Sequence, residues 1–159
     1  MQNETVTSVV GYEPTRDNLI SLLYFLRMRN KRKTINEILA NTQESITRLT
    51  PQEAYIAQEN GAIIIDTRDS VDQSTEGIVP QAKLITRNTL EWRCDPEAEL
   101  PDPLLAQLDK KLIIMCNDGY SSSIAVKSLM DIGRKDVSDI IGGYRAWKNY
   151  GLPTTDMNT

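Results

Sequence analysis

The stretch Lys111-Leu112-Ile113-Ile114-Met115-Cys116-Asn117-Asp118-Gly119-Tyr120-Ser121-Ser122-Ser123 decides how the chain is read. From Leu112 to Cys116 it is an unbroken apolar run carrying two β-branched residues, as a strand covered on both faces requires. A short polar turn with one glycine follows. From Ser122 to Ile132 the residues then take helical spacing, stopping before Gly133. Strand, tight loop and helix form the half-unit of a parallel α/β sheet, and such sheets bind ligands outside the carboxyl ends of their strands. Cys116 stands at such an end.

Working outward, Ala62–Asp66 has the same β-branched character, Lys83–Thr86 is a weaker strand, and Val137–Ile141 runs into Gly142-Gly143. Helical segments lie between them. Thr34 with Glu37 forms a capping box ahead of Ile35, Ile38, Leu39, Ile46 and Leu49, the last of which fit a short strand Ile46–Leu49 equally well. Thr50-Pro51-Gln52-Glu53 repeats the start signal with proline in the first turn, and Asn60-Gly61 supplies the stop. A last helix is expected over Tyr144–Tyr150, before Gly151. The alternation predicts an α/β domain with a mainly parallel sheet. Residues 1–18 are polar and aperiodic and are expected to be disordered. Leu19–Leu26 is apolar almost all round; docking on the body is preferred over an interfacial anchor or a self-association patch. Arg27, Arg29, Lys31, Arg32 and Lys33 read as a solvated linker.

Composition removes whole classes of chemistry. The 159 residues contain no histidine and two cysteines, so Ser-His-Asp and Cys-His hydrolysis and histidine- or thiolate-held zinc are excluded. No metal or cofactor is implied. A net charge of −4 gives no basic surface for nucleic acid. Acidic residues precede the apolar stretch where a secretory leader needs positive charge, and that stretch is too short to span a bilayer. A cytoplasmic setting with reduced thiols is expected.

Cys116 fits two readings by position alone, a buried strand-end thiol or a nucleophile. A loop entering a helix directs backbone N–H groups at an anion, and such sites lower a thiol pKa well below the ordinary value of about 8.5. Asp66 and Arg68 could orient a substrate, but buried charges demand partners, which favours mutual pairing. Trp147 is expected to pack the last helix on the sheet, and Trp92 either to pack or to line the mouth of the site. Tyr120 is a candidate apolar rim or a plain exposed aromatic. Cys94 is read as a bystander rather than a resolving thiol.

The run from Cys116 through Gly119-Tyr120-Ser121-Ser122 to Gly142-Gly143-Tyr144-Arg145-Ala146-Trp147 and Gly151-Leu152-Pro153 resembles the second half of a rhodanese domain. Asp66-Thr67-Arg68 resembles the family's Asp-x-Arg. Gly77-Ile78-Val79-Pro80-Gln81-Ala82 is similar to its Gly-His-Ile-Pro-Gly-Ala, with the histidine and second glycine replaced. The resemblance covers about residues 46–153, and Leu90-Glu91-Trp92-Arg93 with the Gly-Tyr-Ser-Ser loop is most similar to single-domain members from actinobacteria. It implies a five-stranded, mostly parallel sheet with helices on both faces. With order beginning at the Thr34 capping box, the expected organisation is an N-terminal extension over 1–33, partly disordered with a short apolar helix, a rhodanese-like domain over 34–153 and a tail over 154–159.

The resemblance also implies sulfur transfer through a cysteine persulfide. Cys116 is then the nucleophile, and Asn117, Asp118, Gly119, Tyr120, Ser121 and Ser122 form the loop that cradles substrate or persulfide. Asp66 and Arg68 serve as support. The implied partners are a small-molecule sulfur donor and a thiol or protein acceptor. Arginines that many active members carry beside the cysteine and five residues after it are here Asn117 and Ser121. With Asp118 adding negative charge, low-charge donors are expected to be preferred over thiosulfate. The alternative is a non-catalytic rhodanese-like module that binds a partner or senses oxidants. A phosphatase or arsenate reductase would need Cys-x5-Arg, and the sixth residue here is Ser122.

Overall fold

The computed structural model describes residues 15–29 and 32–157. The chain divides into two compact units, Met1–Thr34 and Ile35–Thr159. In the first, helix α1 runs from Arg16 to Arg29. The expectation of disorder over 1–18 thus fails at Arg16–Asn18, where helix has begun; residues 1–14, and Asn30 and Lys31 of the linker, lie outside the described residues. Among the described residues, no helix is long and apolar enough to cross a membrane.

The second unit follows the order α2 (Ile35–Ser45), β1 (Thr47–Leu49), α3 (Pro51–Glu59), β2 (Ile63–Asp66), α4 (Ser70–Glu76), β3 (Lys83–Leu84), α5 (Leu90–Cys94), β4 (Leu112–Met115), α6 (Ser121–Asp131), β5 (Val137–Ile140) and α7 (Gly143–Asn149). A 3₁₀ turn at Arg87–Thr89 leads into α5. The strands make one sheet in the order β1-β5-β4-β2-β3, and every pair is parallel. The sheet is therefore wholly parallel, where mostly parallel was expected.

Period-two alternation distributes the apolar strands between two cores. Ile65, Leu112 and Ile114 face Leu90, Cys94, Val126 and Leu129, beneath α5 and α6. Ile64, Ile113, Met115 and Ile140 face Ala54, Tyr144 and Trp147, beneath α3 and α7. Trp147 packs α7 as expected, meeting Tyr55 edge-on at 5.9 Å and donating to the Pro153 carbonyl at 2.9 Å. Trp92 is 62% exposed and does neither of the jobs foreseen for it.

Local chemistry sets the boundaries. Thr50 and Glu53 close a reciprocal capping box at the start of α3. The segment after α2 resolves as strand β1. The strand foreseen at Lys83–Thr86 shrinks to Lys83–Leu84, because pairing with β2 ends where β2 does, at Asp66. Gln81, standing where the family has its second glycine, keeps the left-handed backbone at φ 63°, unlike any other non-glycine among the described residues. The chain beyond Pro153 also returns to the body, where Thr155 bridges Ile78.

Candidate active site

β4 is the middle strand, flanked by β5 and β2. Parallel neighbours release their following loops at one edge, so the loop after Asp66 and the loop after Cys116 share one end of the sheet. Between them lies a pocket of about 320 Å³. One wall is Thr67, Arg68, Asp69 and Asp72; the other is Cys116, Asn117, Asp118, Tyr120 and Ser121.

The cysteine loop is held by main-chain contacts. The N–H groups of Tyr144 and Arg145 donate to the carbonyls of Cys116 and Asn117 at 2.8 and 3.1 Å. That approach needs Gly143, where a Cβ would lie 2.2 Å from the Cys116 oxygen. Gly119 turns at φ +75°, with its carbonyl accepting from Arg48 Nη2 at 2.9 Å and Gln43 Nε2 at 3.2 Å and lying 2.9 Å from Ser123 Oγ.

Cys116 is 7% exposed, and Ser122 meets its sulfur twice. The Ser122 N–H donates to Sγ at 3.4 Å, and the Cys116 thiol donates to Ser122 Oγ at 3.2 Å. Burial pushes the thiol pKa up. Hydrogen bonds from the Ser121 and Ser122 side chains and from the Ser122 and Asp118 backbone outweigh it, so the net displacement is downward. Cys94 is the opposite case. It lies in the α5–α6 core, fully buried, and desolvation pushes its thiol to about 11.

Asp66 and Arg68 pair with each other, as their burial required. The Arg68 guanidinium reaches Asp66 Oδ2 at 2.7 Å and the Gly77 carbonyl at 2.7 Å, and it stacks 3.5 Å from the Tyr144 ring centroid. Arg68 still contributes to the pocket wall, whereas Asp66 is outside it. Tyr120 is 61% exposed and rims the pocket.

The charge pattern corrects one expectation. Asp118 does not stand alone beside the nucleophile, because Arg145 grips it at 2.7 and 2.9 Å. Two further carboxylates stand on the opposite wall. Asp69 caps α4, accepting from the Asp72 N–H at 2.8 Å, and Asp72 accepts from Asn117 Nδ2 at 2.5 Å. Among the described residues neither Asp69 nor Asp72 forms an ion pair. Sequence reasoning missed both, although Asp69 at a helix start is a readable cap signal.

It also missed Asp139. This residue of β5 lies opposite Arg48 of β1 and is 0% exposed. Arg48 reaches its two oxygens at 2.8 and 3.0 Å, while Ser123 and Ser122 Oγ donate to Oδ2 at 2.7 and 3.3 Å. A carboxylate in the middle of the strand foreseen at Val137–Ile141 was the available signal.

The sequence profile of the rhodanese-like domain matches residues 50–150, which takes in both walls of the pocket. The chain belongs to the rhodanese-like domain family. Within that family it is 28% identical over 101 residues to the thiosulfate sulfurtransferase GlpE of Pseudomonas savastanoi, covering 64% of this chain and 86% of the relative. It is 29% identical over 105 residues to the protein of that name from Haemophilus influenzae, covering 66% and 90%. A solved structure from Rhodopseudomonas palustris, a protein of unknown function described as a possible tyrosine phosphatase, superposes with a TM-score of 0.73 at 31% identity. The match covers 79% of this rhodanese-like chain and 97% of that one.

Proposed function

We propose that this chain is a sulfurtransferase that carries sulfane sulfur on Cys116 as a persulfide. One observation carries the reading: a thiol with a lowered pKa sits at a pocket wall under a loop whose N–H and hydroxyl groups favour its anion. The naming of relatives as thiosulfate sulfurtransferases supports the same reaction class.

In the first step the Cys116 thiolate attacks the outer sulfur of a donor R–S–SH. A new S–S bond forms, the donor's own S–S bond breaks, and its electron pair leaves on R–S⁻. In the second step an acceptor thiolate attacks the outer sulfur of the Cys116 persulfide and takes it, and the electron pair of the breaking bond returns to Cys116 Sγ. No net oxidation occurs, so neither step needs a histidine, metal or redox cofactor. The Asp69 and Asp72 carboxylates on the pocket wall disfavour a dianion, which makes a low-charge persulfide or a protein persulfide the better donor.

A tyrosine phosphatase would need an arginine at the sixth position of the loop, where Ser122 stands buried against Cys116 and Asp139. Arg48 and Arg145 are each engaged by a carboxylate.

Intact mass after incubation with a persulfide donor tests the proposal. A gain of about 32 mass units on the wild type, absent in Cys116→Ser and reversed by a thiol acceptor, is the expected result. No gain across donors of every charge would leave the chain a binding or redox-sensing module.

A further inference from the structure

We infer that Asp139, acting through the hydroxyl of Ser122, is a positioning residue that sets how much charge Cys116 Sγ can hold during sulfur transfer. The inference rests on Cys116 being the transfer nucleophile. Ser122 Oγ lies 3.2 Å from Cys116 Sγ and 3.3 Å from Asp139 Oδ2, and a hydroxyl has one proton to donate. Both neighbours compete for that proton whenever both are anionic. Asp139 cannot follow the hydroxyl, because Arg48 grips it from the neighbouring strand and pins it. Ser122 is the movable part, and its backbone is fixed in the first turn of α6.

The geometry gives the hydroxyl two positions. Beside a neutral thiol it accepts from sulfur and donates to Asp139, which is the arrangement observed. Beside a thiolate the same proton turns to sulfur. When Sγ attacks a donor it loses its negative charge to the departing group, and the hydroxyl returns to Asp139. When the persulfide is discharged, Sγ takes back the electron pair, and the hydroxyl returns to sulfur. The proton stays on Ser122 throughout and only its direction changes.

Ser123 makes the exchange inexpensive for Asp139. Its hydroxyl lies 2.7 Å from the same Oδ2 and 2.9 Å from the Gly119 carbonyl, so it covers the carboxylate when Ser122 turns away. The gain is symmetry: neither charging nor discharging Sγ leaves a buried polar group without a partner. A histidine commonly supplies such adjustable hydrogen bonding next to a nucleophile. Here a serine suspended between a sulfur and a pinned carboxylate does so.

The test is the pH dependence of Cys116 alkylation by iodoacetamide in the full chain, read by peptide mapping, for wild type, Ser122→Ala, Asp139→Asn and the double variant. Ser122→Ala removes a donor to the thiolate and raises the apparent pKa of Cys116 by about 1 unit. Asp139→Asn keeps a carbonyl oxygen for Arg48 and turns an NH₂ donor toward Ser122. The hydroxyl is then committed to sulfur, and the pKa falls by about half a unit or more. In the Ser122→Ala background most of that fall disappears.

A rise in pKa for Asp139→Asn would mean that the carboxylate only scaffolds the loop and would overturn the inference. A fall of equal size in both backgrounds would overturn it too, as plain charge removal acting through space. If Asp139→Asn does not fold, Arg48→Gln replaces it. Loss of the arginine makes Asp139 a hungrier acceptor and raises the Cys116 pKa while Ser122 is present; an equal rise in the Ser122→Ala background refutes the switch. Alkylation needs no sulfur donor. Correct shifts in a protein that never takes up sulfur would sink the sulfurtransferase reading alone, and sulfur uptake without the shifts would sink this inference alone.

Discussion

Replacing Asp72 by asparagine isolates the charge that the pocket presents to a donor. The substitution is nearly isosteric and keeps a carbonyl oxygen for Asn117 Nδ2, which Asp72 now engages at 2.5 Å. Across a cavity of about 320 Å³, about 7 Å wide, a carboxylate and a dianion repel by about 1.2 kcal/mol at the dielectric of water. That corresponds to a rise of roughly sevenfold in kcat/KM for thiosulfate at low ionic strength. At physiological salt the Debye length of about 8 Å cuts the gain to about twofold. The assay is thiocyanate formation from thiosulfate and cyanide, run beside an uncharged donor such as a dialkyl trisulfide. Only the thiosulfate reaction is expected to change, and the change is expected to shrink as salt rises. If both donors respond equally, the substitution has moved the loop and the electrostatic reasoning is wrong; if neither responds, Asp72 lies outside the donor's field.

Other consequences can be checked on stability. Cys94 holds its proton to about 11 in the folded chain, well above the ordinary thiol value, so the folded state binds that proton more tightly. Stability attributable to Cys94 is therefore intact below pH 9 and lost as pH rises toward 11, by about 2–3 kcal/mol, and urea titrations of Cys94→Ala should lack that part of the slope. Gly143→Ala drives a Cβ to 2.2 Å from the Cys116 carbonyl oxygen and 2.6 Å from that of Asn117, and is expected to cost at least about 3 kcal/mol. Its urea midpoint should fall and Cys116 should lose its low pKa; a fully stable variant with unchanged alkylation would mean that the loop reaches its shape without α7.

The contiguous parts of the site were legible. Cys116 to Ser122 is one strand end, one turn and one helix start, and each announces itself through local chemistry. The β-branched runs likewise marked β2 and β4 within a residue or so, because strands covered on both faces must be apolar throughout. What escaped depends on pairing. Asp72 reaches Asn117 across 45 residues and Arg48 reaches Asp139 across 91, and only the order of strands in the sheet brings them together. Helices α4 and α5 escaped for another reason. They are short, and α4 owes its stability to the Asp69 cap and to Gln73, which is buried against the Arg68 carbonyl, rather than to an apolar stripe. The Asp118–Arg145 pair shows the hazard of weighing a charge without its neighbours in space.

The loop around Cys116 takes its shape from its carbonyls and amides, with Tyr144 and Arg145 donating from behind and Arg48 and Gln43 closing on the Gly119 carbonyl. Form and lining are thereby separated. Side chains at positions 118, 120 and 121 meet the pocket, and the ion pair among them, the exposed Asp118–Arg145 contact, is screened by water and contributes little, so they can be exchanged at little cost in stability, while the glycines behind them cannot. A chain built this way can be retuned from one donor to another by altering a few letters within a single loop. A library confined to those three positions would sample much of the specificity this scaffold can express.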